Sequence, residues 1–240
     1  MTTLLYLENA YLKEMEATLI EVAKENDGQQ RWLIVLDQTI FYPRGGGQAT
    51  DQGFLFTDTW KGKVGQVLQK EGKIFHYVEG DQPPPIGTLV RGTLDWNRRY
   101  LNMRLHSAGH VVDFALYLLG YSPSPLIPFK GEHEKKPVIY YHGTIEKDFQ
   151  HELEKKANEL VSQDLPFSFR FADHQELERE AIYLQPGLPK NKPLRLLTLK
   201  GVGSVADGGT QVHSTSEVGQ ISILPIEQKD GMTLIRYRID

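Results

Sequence analysis

The segment NMRLHSAGHVVDF, residues 102–114, places His106 and His110 four positions apart in a run of apolar residues. In a helix this spacing puts both imidazoles on one face, where their nitrogens can bind one metal ion. Ser107 stands where the metalloprotease motif HExxH has its catalytic glutamate, so that motif is absent. Chance alone gives an HxxxH spacing in about one sequence in four of this composition. Two ordinary histidines on a polar helix surface therefore remain the alternative.

A metal site needs further ligands, and the absence of cysteine limits the choice. Zinc would have to be bound by histidine, aspartate, glutamate or a weaker oxygen donor. The segment VADGGTQVHSTSEVG, residues 205–219, offers Asp207 and Gln211 four positions apart, with His213 two residues further on. The same segment is also typical of a glycine-rich loop that enters a strand, and both interpretations stay open.

The composition is that of a globular protein without a membrane span. The chain has 240 residues, of which 40% are hydrophobic and 24% are charged. This length is enough for one large domain or two modest ones. The chain has no apolar run of about 18 residues, and its N-terminus lacks the basic and apolar segments of a signal peptide. We therefore expect a cytoplasmic protein.

The net charge of −4 argues against a general nucleic-acid coat protein, which is usually basic. A local basic surface is still compatible with RNA binding. Arg98, Arg99 and Arg104 lie within WNRRYLNMRLH, residues 96–106. They form either such a surface or a solvated helix face.

The first part of the chain, residues 1–93, is predicted to form a small, partly closed β-barrel. Short β-branched and aromatic runs separated by turn residues support this prediction; they include RWLIVLDQTIFYP, GFLFTD and GTLVRGTLDW. From Asn97 the apolar spacing predicts a helix of about 20 residues that ends near Gly120. The residues after it, YSPSPLIPFKGEHEKKP at 121–137, are expected to be an irregular, proline-rich connection.

The remainder of the chain is predicted to mix helices and strands. EKDFQHELEKKANELVSQD and HQELERE have helical spacing, whereas VIYYHGTI, FSFRFAD, LRLLTLKG and MTLIRYRID are typical of strands. We assign the second domain to residues 94–240.

Three separated segments resemble the editing region of alanyl-tRNA synthetase and its free-standing relatives, the AlaX trans-editing proteins. They are TIFYPRGGGQATDQG, LDWNRRYLNMRLHSAGH and DGGTQVHSTSEVG, in this order. The resemblance covers nearly the whole chain and implies an α+β fold. It implies an N-terminal β-barrel with the glycine-rich loop, and a C-terminal α+β editing domain similar to the second additional domain shared with threonyl-tRNA synthetase. No segment resembles an adenylate-forming core.

The activity that the resemblance implies is deacylation of mischarged tRNA(Ala) in trans. The implied substrates are the seryl ester and, secondly, the glycyl ester. The partner is the acceptor end of tRNA(Ala), with no membrane and no obligate protein partner. Two other functions stay open: a metal-free, non-catalytic tRNA-binding relative, and a metal-dependent hydrolase of another acyl ester or amide.

The metal pattern of the resembled family is HxxxH followed by CxxxH. His106 and His110 match its first half, whereas Asp207 replaces the family cysteine and Gln211 the family histidine. The resemblance therefore implies a Zn²⁺ site with an altered ligand set. Gln211 offers only a neutral amide oxygen, and His213 is an alternative fourth ligand. Without metal, His106 and His110 can instead act as general bases.

The glycine-rich loop supplies the other implied catalytic and substrate-binding residues. Thr39 matches the family threonine that hydrogen-bonds the seryl hydroxyl, which alanine lacks. Gly45, Gly46, Gly47 and Gln48 would let the backbone approach the substrate closely. Without the resemblance, these residues are an ordinary strand threonine and a tight turn.

Single-stranded RNA at the acceptor end needs phosphate and base contacts. Arg98, Arg99 and Arg104, with Lys130, are the expected phosphate contacts, and Tyr42 is the expected stacking residue.

Overall fold

The computed structural model describes residues 2–25 and 31–240, and the chain divides into two compact units, Met1–Leu101 and Asn102–Asp240. The predicted α+β fold is confirmed, because a closed six-stranded barrel accompanies mixed helices and sheets. By its contacts the first unit includes residues 94–101, and the functional division predicted after residue 93 stays a prediction. Among the described residues, no helix is long and apolar enough to cross a membrane.

The first unit is built almost entirely from strands. They are β1 (Thr3–Leu4), β2 (Glu14–Lys24), β3 (Arg31–Leu36), β4 (Gln38–Thr39), β5 (Gly53–Phe56), β6 (Lys61–Lys70), β7 (Lys73–Glu79) and β8 (Leu89–Leu94), with a 3₁₀ turn at Leu5–Leu7. Six of them close into a barrel in the order β2-β3-β7-β6-β5-β8, and β1 pairs with β4 in parallel. The barrel is fully closed, where the sequence predicted a partly closed one.

The barrel forms because side chains alternate between its inside and outside. Along β2, Met15, Ala17 and Leu19 are buried, while Glu14 and Glu16, on either side of Met15, are exposed. The closure between β5 and β8 depends on a close backbone approach, since a Cβ atom at position 53 would lie 2.0 Å from the carbonyl oxygen of Thr93. Glycine at this position therefore permits the closure.

The second unit begins within the first helix and contains two sheets. Its elements are α1 (Trp96–Leu118, which starts in the first unit), β9 (Ile127–Glu132), β10 (Val138–His142), α2 (Gln150–Ser162), β11 (Phe167–Ala172), α3 (His174–Glu180), β12 (Leu194–Leu199), β13 (Gly203–Ala206), β14 (Ile221–Ile223), β15 (Glu227–Lys229) and β16 (Met232–Ile239), with a 3₁₀ turn at Thr215–Val218. One sheet has the order β14-β16-β10-β9, with β15 also pairing with β16, and the other has the order β11-β12-β13.

Helix α1 has clear physical start and stop signals. At its start, Asp95 Oδ1 accepts a hydrogen bond from the backbone N–H of Arg98 at 3.1 Å. At its end, Gly120 has a φ of 75°, a left-handed conformation that glycine adopts without steric penalty. The face between these ends is buried, including Ala108 and Val112.

The expectation of an irregular connection at residues 121–137 was wrong for part of that segment. Residues 127–132 form β9, which pairs with β10. The prolines misled the prediction, since proline usually interrupts sheets. Strand β9 is at the edge of its sheet, where Pro128 is tolerated because one side of the strand needs no donor.

Candidate functional site

Helix α1 places His106 and His110 on one face, as their spacing predicts. Their rings stack with centroids 5.0 Å apart and an interplanar angle of 18°. His106 is 2% exposed, and the side chain of His110 is 11% exposed. The two imidazoles are therefore largely buried and do not lie on a solvated helix face.

Asp207 follows strand β13, and its carboxylate lies beside the imidazoles of His106 and His110. Its Oδ1 lies 3.3 Å from His106 Nε2 and 3.5 Å from His110 Nε2. The three ligand atoms are all within 4.8 Å of one another. Ligands bound to a tetrahedral zinc ion at about 2.0–2.2 Å lie about 3.3–3.6 Å apart. His110 Nε2 is also buried without a hydrogen-bond partner among the described residues. The donors and their spacing fit a small divalent metal ion.

The protonation states also suit metal binding. Burial lowers the pKa of His106, and the neighbouring Asp207 offsets this only in part. Burial raises the pKa of Asp207, but the facing imidazoles lower it, and the resulting pKa is well below the ordinary value. A neutral imidazole and an ionised carboxylate are the forms that bind metal.

The second oxygen of Asp207 is held by three donors. Oδ2 accepts from the backbone N–H of Gly209 at 3.1 Å, from Gln211 Nε2 at 3.0 Å and from Arg195 Nη2 at 3.4 Å. Arg195 is 5% exposed, and its guanidinium also donates to the carbonyl oxygens of Asp207 and Gly209. Asp207 therefore has a buried counter-charge from the protein itself.

Gln211 and His213, the predicted and the alternative fourth ligands, are placed differently from Asp207. The side-chain oxygen of Gln211 accepts from Ser107 Oγ at 2.5 Å, so it faces Ser107 and not the histidines. His213 is exposed and does not belong to the cluster of His106, His110 and Asp207. Metal binding by Gln211, or by His213 in its place, stays a prediction. The positions of these two side chains do not support it.

His133 is a site residue that the sequence reasoning missed. Its ring stacks on His106 with centroids 4.5 Å apart. The hydroxyl of Tyr237 donates its proton to the carbonyl oxygen of Leu105 at 2.9 Å. His133 Nδ1 lies 2.6 Å from the oxygen of that hydroxyl and therefore donates to it. Burial lowers the pKa of His133 well below its ordinary value. No sequence spacing could have linked it to His106, since it follows strand β9 in the segment taken as irregular.

Arg195 was missed for a different reason. It lies in β12, where a single arginine among leucines is typical of a strand with one solvated side chain. Its guanidinium instead lies over the ring of Phe169 at 4.6 Å and against Asp207. Only the pairing of β12 with β13 brings Arg195 to the loop that carries Asp207.

Thr39 lies in the first unit and is fully buried. Its Oγ1 is 2.8 Å from His76 Nε2 and accepts from the backbone N–H of Phe41 at 3.1 Å. His76 Nδ1 is 3.0 Å from the carbonyl oxygen of Ile34, so Nδ1 carries the proton and Nε2 accepts from Thr39. Burial lowers the pKa of His76 to about 4, which keeps this ring neutral. The sequence analysis did not identify His76 as the partner of Thr39.

The glycine-rich loop is a tight turn. Gln48 N–H donates to the carbonyl oxygen of Gly45 at 2.9 Å. Gly46 and Gly47 have φ values of 54° and 76°, a pair of left-handed residues that glycine supplies best. The hydroxyl of Tyr42 donates to Gly45 at 3.0 Å and braces the turn. Tyr42 is 5% exposed, which does not favour its predicted role in stacking on RNA, and that role stays a prediction.

Arg99 is buried in this structure, which does not favour its predicted role in RNA binding, and that role stays a prediction. Arg99 is 0% exposed, and its guanidinium forms a bidentate ion pair with Asp51, which is 1% exposed. It also donates to the carbonyl oxygens of Ala10 and Ile40 at 2.7 and 2.5 Å. Asp51 in turn accepts from the backbone N–H of Tyr42 at 2.7 Å. Arg99 thus ties the glycine-rich segment to the start of α1.

The other predicted phosphate contacts differ in exposure. Arg98 is half-buried, with Nε donating to the carbonyl oxygen of Thr50 at 2.9 Å. Arg104 donates to the carbonyl oxygen of Val218 at 2.9 Å and to that of Asp240. Lys130 is exposed and pairs with Glu132 at 2.6 Å. Arg104 therefore contacts the end of the C-terminal strand. Arg98 and Arg104 are both half-buried and Lys130 is exposed, and the phosphate contacts predicted for all three stay predictions.

Comparison with known proteins identifies relatives along the whole chain. A family profile described as class II (A) tRNA synthetases matches residues 4–98. The alanyl-tRNA editing protein AlaX-M of Saccharolobus solfataricus is 34% identical over 247 residues, which cover 100% of this chain and 99% of that protein. AlaX-L of Pyrococcus horikoshii is 32% identical over 93% of this chain and 54% of its own length. Alanine–tRNA ligase of Methanopyrus kandleri is 33% identical over 98% of this chain. The chain spans about a quarter (26%) of that ligase.

Proposed function

The chain belongs to the AlaX family of alanyl-tRNA editing proteins, and on that premise we propose that it is an aminoacyl-tRNA deacylase. It hydrolyses the ester of mischarged tRNA(Ala), namely the seryl ester and secondly the glycyl ester, as a free-standing protein. The observation that carries this proposal is the cluster of His106, His110 and Asp207, whose donor atoms have the types and spacing of a hydrolytic metal site.

We assign Zn²⁺ to this cluster, with His106, His110 and Asp207 as the residues that hold it. Bound zinc would lower the pKa of a water molecule or polarise the ester carbonyl. The chain's own contribution is preparation of the donors. Burial keeps His106 neutral, and the hydrogen bonds from Gly209 and Gln211 hold one side of the Asp207 carboxylate. This leaves Oδ1 directed at the two histidines.

Thr39, Gln48 and the three glycines remain the proposed residues for recognising the aminoacyl group. Thr39 and Gln48 are 0% exposed, so contact with the substrate requires movement of the residues that cover them. With His76 accepting its proton and Phe41 N–H as its donor, Thr39 Oγ1 retains one acceptor position. A seryl hydroxyl can donate to such an oxygen, whereas alanine leaves it unpaired, and this difference is the physical basis of selection. Arg98 and Lys130 are the proposed contacts to acceptor-end phosphates.

The experiment that tests the function is deacylation of Ser-tRNA(Ala) beside Ala-tRNA(Ala) by the full chain, with and without added Zn²⁺. We expect loss of the seryl ester at least about 100-fold faster than loss of the alanyl ester. Hydrolysis of neither ester, with zinc present, would contradict the proposal.

The second candidate is a tRNA-binding protein without metal or hydrolytic activity. One observation favours it: Arg195 balances the charge of Asp207, so the site does not need a cation to be stable. Binding of tRNA(Ala) without deacylation would support this candidate. Equal hydrolysis of free aminoacyl esters and charged tRNA would instead indicate a hydrolase of other acyl compounds.

A further inference from the structure

The orientation of the Gln211 side chain follows from the chemistry of its two neighbours. A carboxylate oxygen only accepts hydrogen bonds, so the group 3.0 Å from Asp207 Oδ2 is the amide nitrogen of Gln211. Its amide oxygen is then the atom 2.5 Å from Ser107 Oγ. Ser107 Oγ already accepts from the backbone N–H of Val212 at 3.1 Å, which leaves its proton for Gln211.

This arrangement commits the amide oxygen of Gln211. Turning that oxygen toward His106 or His110 would break its bond to Ser107 and remove a donor from Asp207. Gln211 is 8% exposed and Ser107 is 0% exposed, so water would not readily replace either bond. The side chain that stands at the fourth ligand position of the family pattern is thus engaged elsewhere.

The same network also determines how Asp207 can bind a cation. Its Oδ2 is occupied by Gln211, Gly209 and Arg195, while Oδ1 faces the two histidines. We propose that Gln211 is a positioning residue that holds Asp207 as a one-oxygen donor. A bound ion would then have three protein ligands, and a fourth position would be open to water or substrate. The inference rests on the proposed function for the presence of the metal.

Coordination can be measured without any enzymatic assay. In the Zn²⁺-loaded full chain, X-ray absorption at the zinc edge should show two imidazoles and a single carboxylate oxygen. With Co²⁺ in place of zinc, added azide should change the visible spectrum, because an open position accepts the anion. A Co²⁺ spectrum that azide does not change would overturn the inference.

Substitutions separate a positioning residue from a ligand. Gln211→Ala should lower Zn²⁺ affinity, measured against a competing chelator dye, by about 10–100-fold and keep the azide response. Ser107→Ala frees the amide oxygen of Gln211. If Gln211 positions Asp207, the Ser107→Ala variant should bind Zn²⁺ more weakly than the wild type. If Gln211 is instead a metal ligand, the variant should bind Zn²⁺ equally well or more tightly. Gln211→His supplies the family ligand and should strengthen Zn²⁺ binding while suppressing the azide response.

Controls keep these outcomes interpretable. Gln163→Ala, at an exposed glutamine after α2, should leave Zn²⁺ affinity unchanged, and thermal melts show whether each variant is folded. No Zn²⁺ or Co²⁺ binding up to millimolar concentration would also overturn the inference. Deacylation of Ser-tRNA(Ala) by the same preparation then shows whether the proposed function fails with it or persists without metal.

Discussion

His106 Nε2 lies 3.3 Å from Asp207 Oδ1, and the other oxygen of that carboxylate is held by Gln211 and Gly209. One carboxylate thus presents one oxygen to the histidines and the other to its own loop. This division explains how aspartate can stand where the resembled family has cysteine. It also makes the site sensitive to residues that do not face the two histidines.

The histidine pair is expected to be necessary for hydrolysis. His106→Ala and His110→Ala should each lower kcat/KM for Ser-tRNA(Ala) by about 10²–10⁴-fold, because each removes a metal ligand or a base. His151→Ala, at an exposed histidine of α2, is the matched control and should keep full activity. Wild-type rates in both site variants would place the chemistry elsewhere.

Arg195 is expected to make the metal-free site stable. In chelator, Arg195→Met should lower the free energy of unfolding by about 3–5 kcal/mol, since Asp207 then lacks a buried counter-charge. Zinc should recover more stability in the variant than in the wild type, because the ion supplies the missing positive charge. The measurement is urea unfolding with EDTA and with Zn²⁺; equal zinc effects in both proteins would contradict the prediction.

Arg99 and Asp51 are expected to stabilise the first unit and not to bind RNA directly. Arg99→Leu should lower the free energy of unfolding by about 3–5 kcal/mol, because it leaves a buried carboxylate unpaired. The double variant, Arg99→Leu with Asp51→Asn, should lose less free energy of unfolding than the sum of the losses in the two single variants. Urea unfolding measures both effects, and additive losses would show that the pair is not coupled.

Arg98 is expected to contribute to tRNA affinity through phosphate contact. Arg98→Ala should weaken tRNA binding and reduce the slope of log affinity against log salt by about 0.7–1. Lys200→Ala, at an exposed lysine of the second unit, serves as the charge-matched control. An unchanged salt slope for the Arg98 variant would exclude the contact.

His76 is expected to make stability depend on pH. Its pKa is lowered by burial from 6.5 to about 4 in the folded chain, so the unfolded chain binds the proton more readily. Its contribution to stability is therefore complete above pH 6.5 and is lost as the pH falls toward 4. Between pH 7 and pH 5 this loss is about 2 kcal/mol.

Comparison of the wild type with His76→Gln isolates that contribution, because His106 and His133 titrate in both proteins. Between pH 7 and pH 5, the free energy of unfolding measured with urea should decrease less in the variant than in the wild type. Identical decreases would mean that His76 is not buried neutral beside Thr39.

Local spacing was sufficient to predict several features. A period of 3.6 residues determines that His106 and His110 share a face of α1, and short β-branched and aromatic runs separated by turn residues predict the barrel. These predictions succeed because they depend only on backbone geometry within one element. The same reasoning failed at β9, since whether Pro128 is tolerated depends on the strand's place at a sheet edge, which the local sequence does not contain.

The sequence by itself determined the β-rich first part, the mixed second part, the histidine pair and, through the resemblance, Asp207 as its partner. Only the tertiary structure decided which way Gln211 faces, that Arg195 and His133 join the site, and that Arg99 is buried against Asp51. The physical reason is that hydrogen bonds and ion pairs form between groups that are close in the folded chain, whatever their separation in the sequence. Ser107 and Gln211 are 104 residues apart in the chain, yet their bond decides what Gln211 can do.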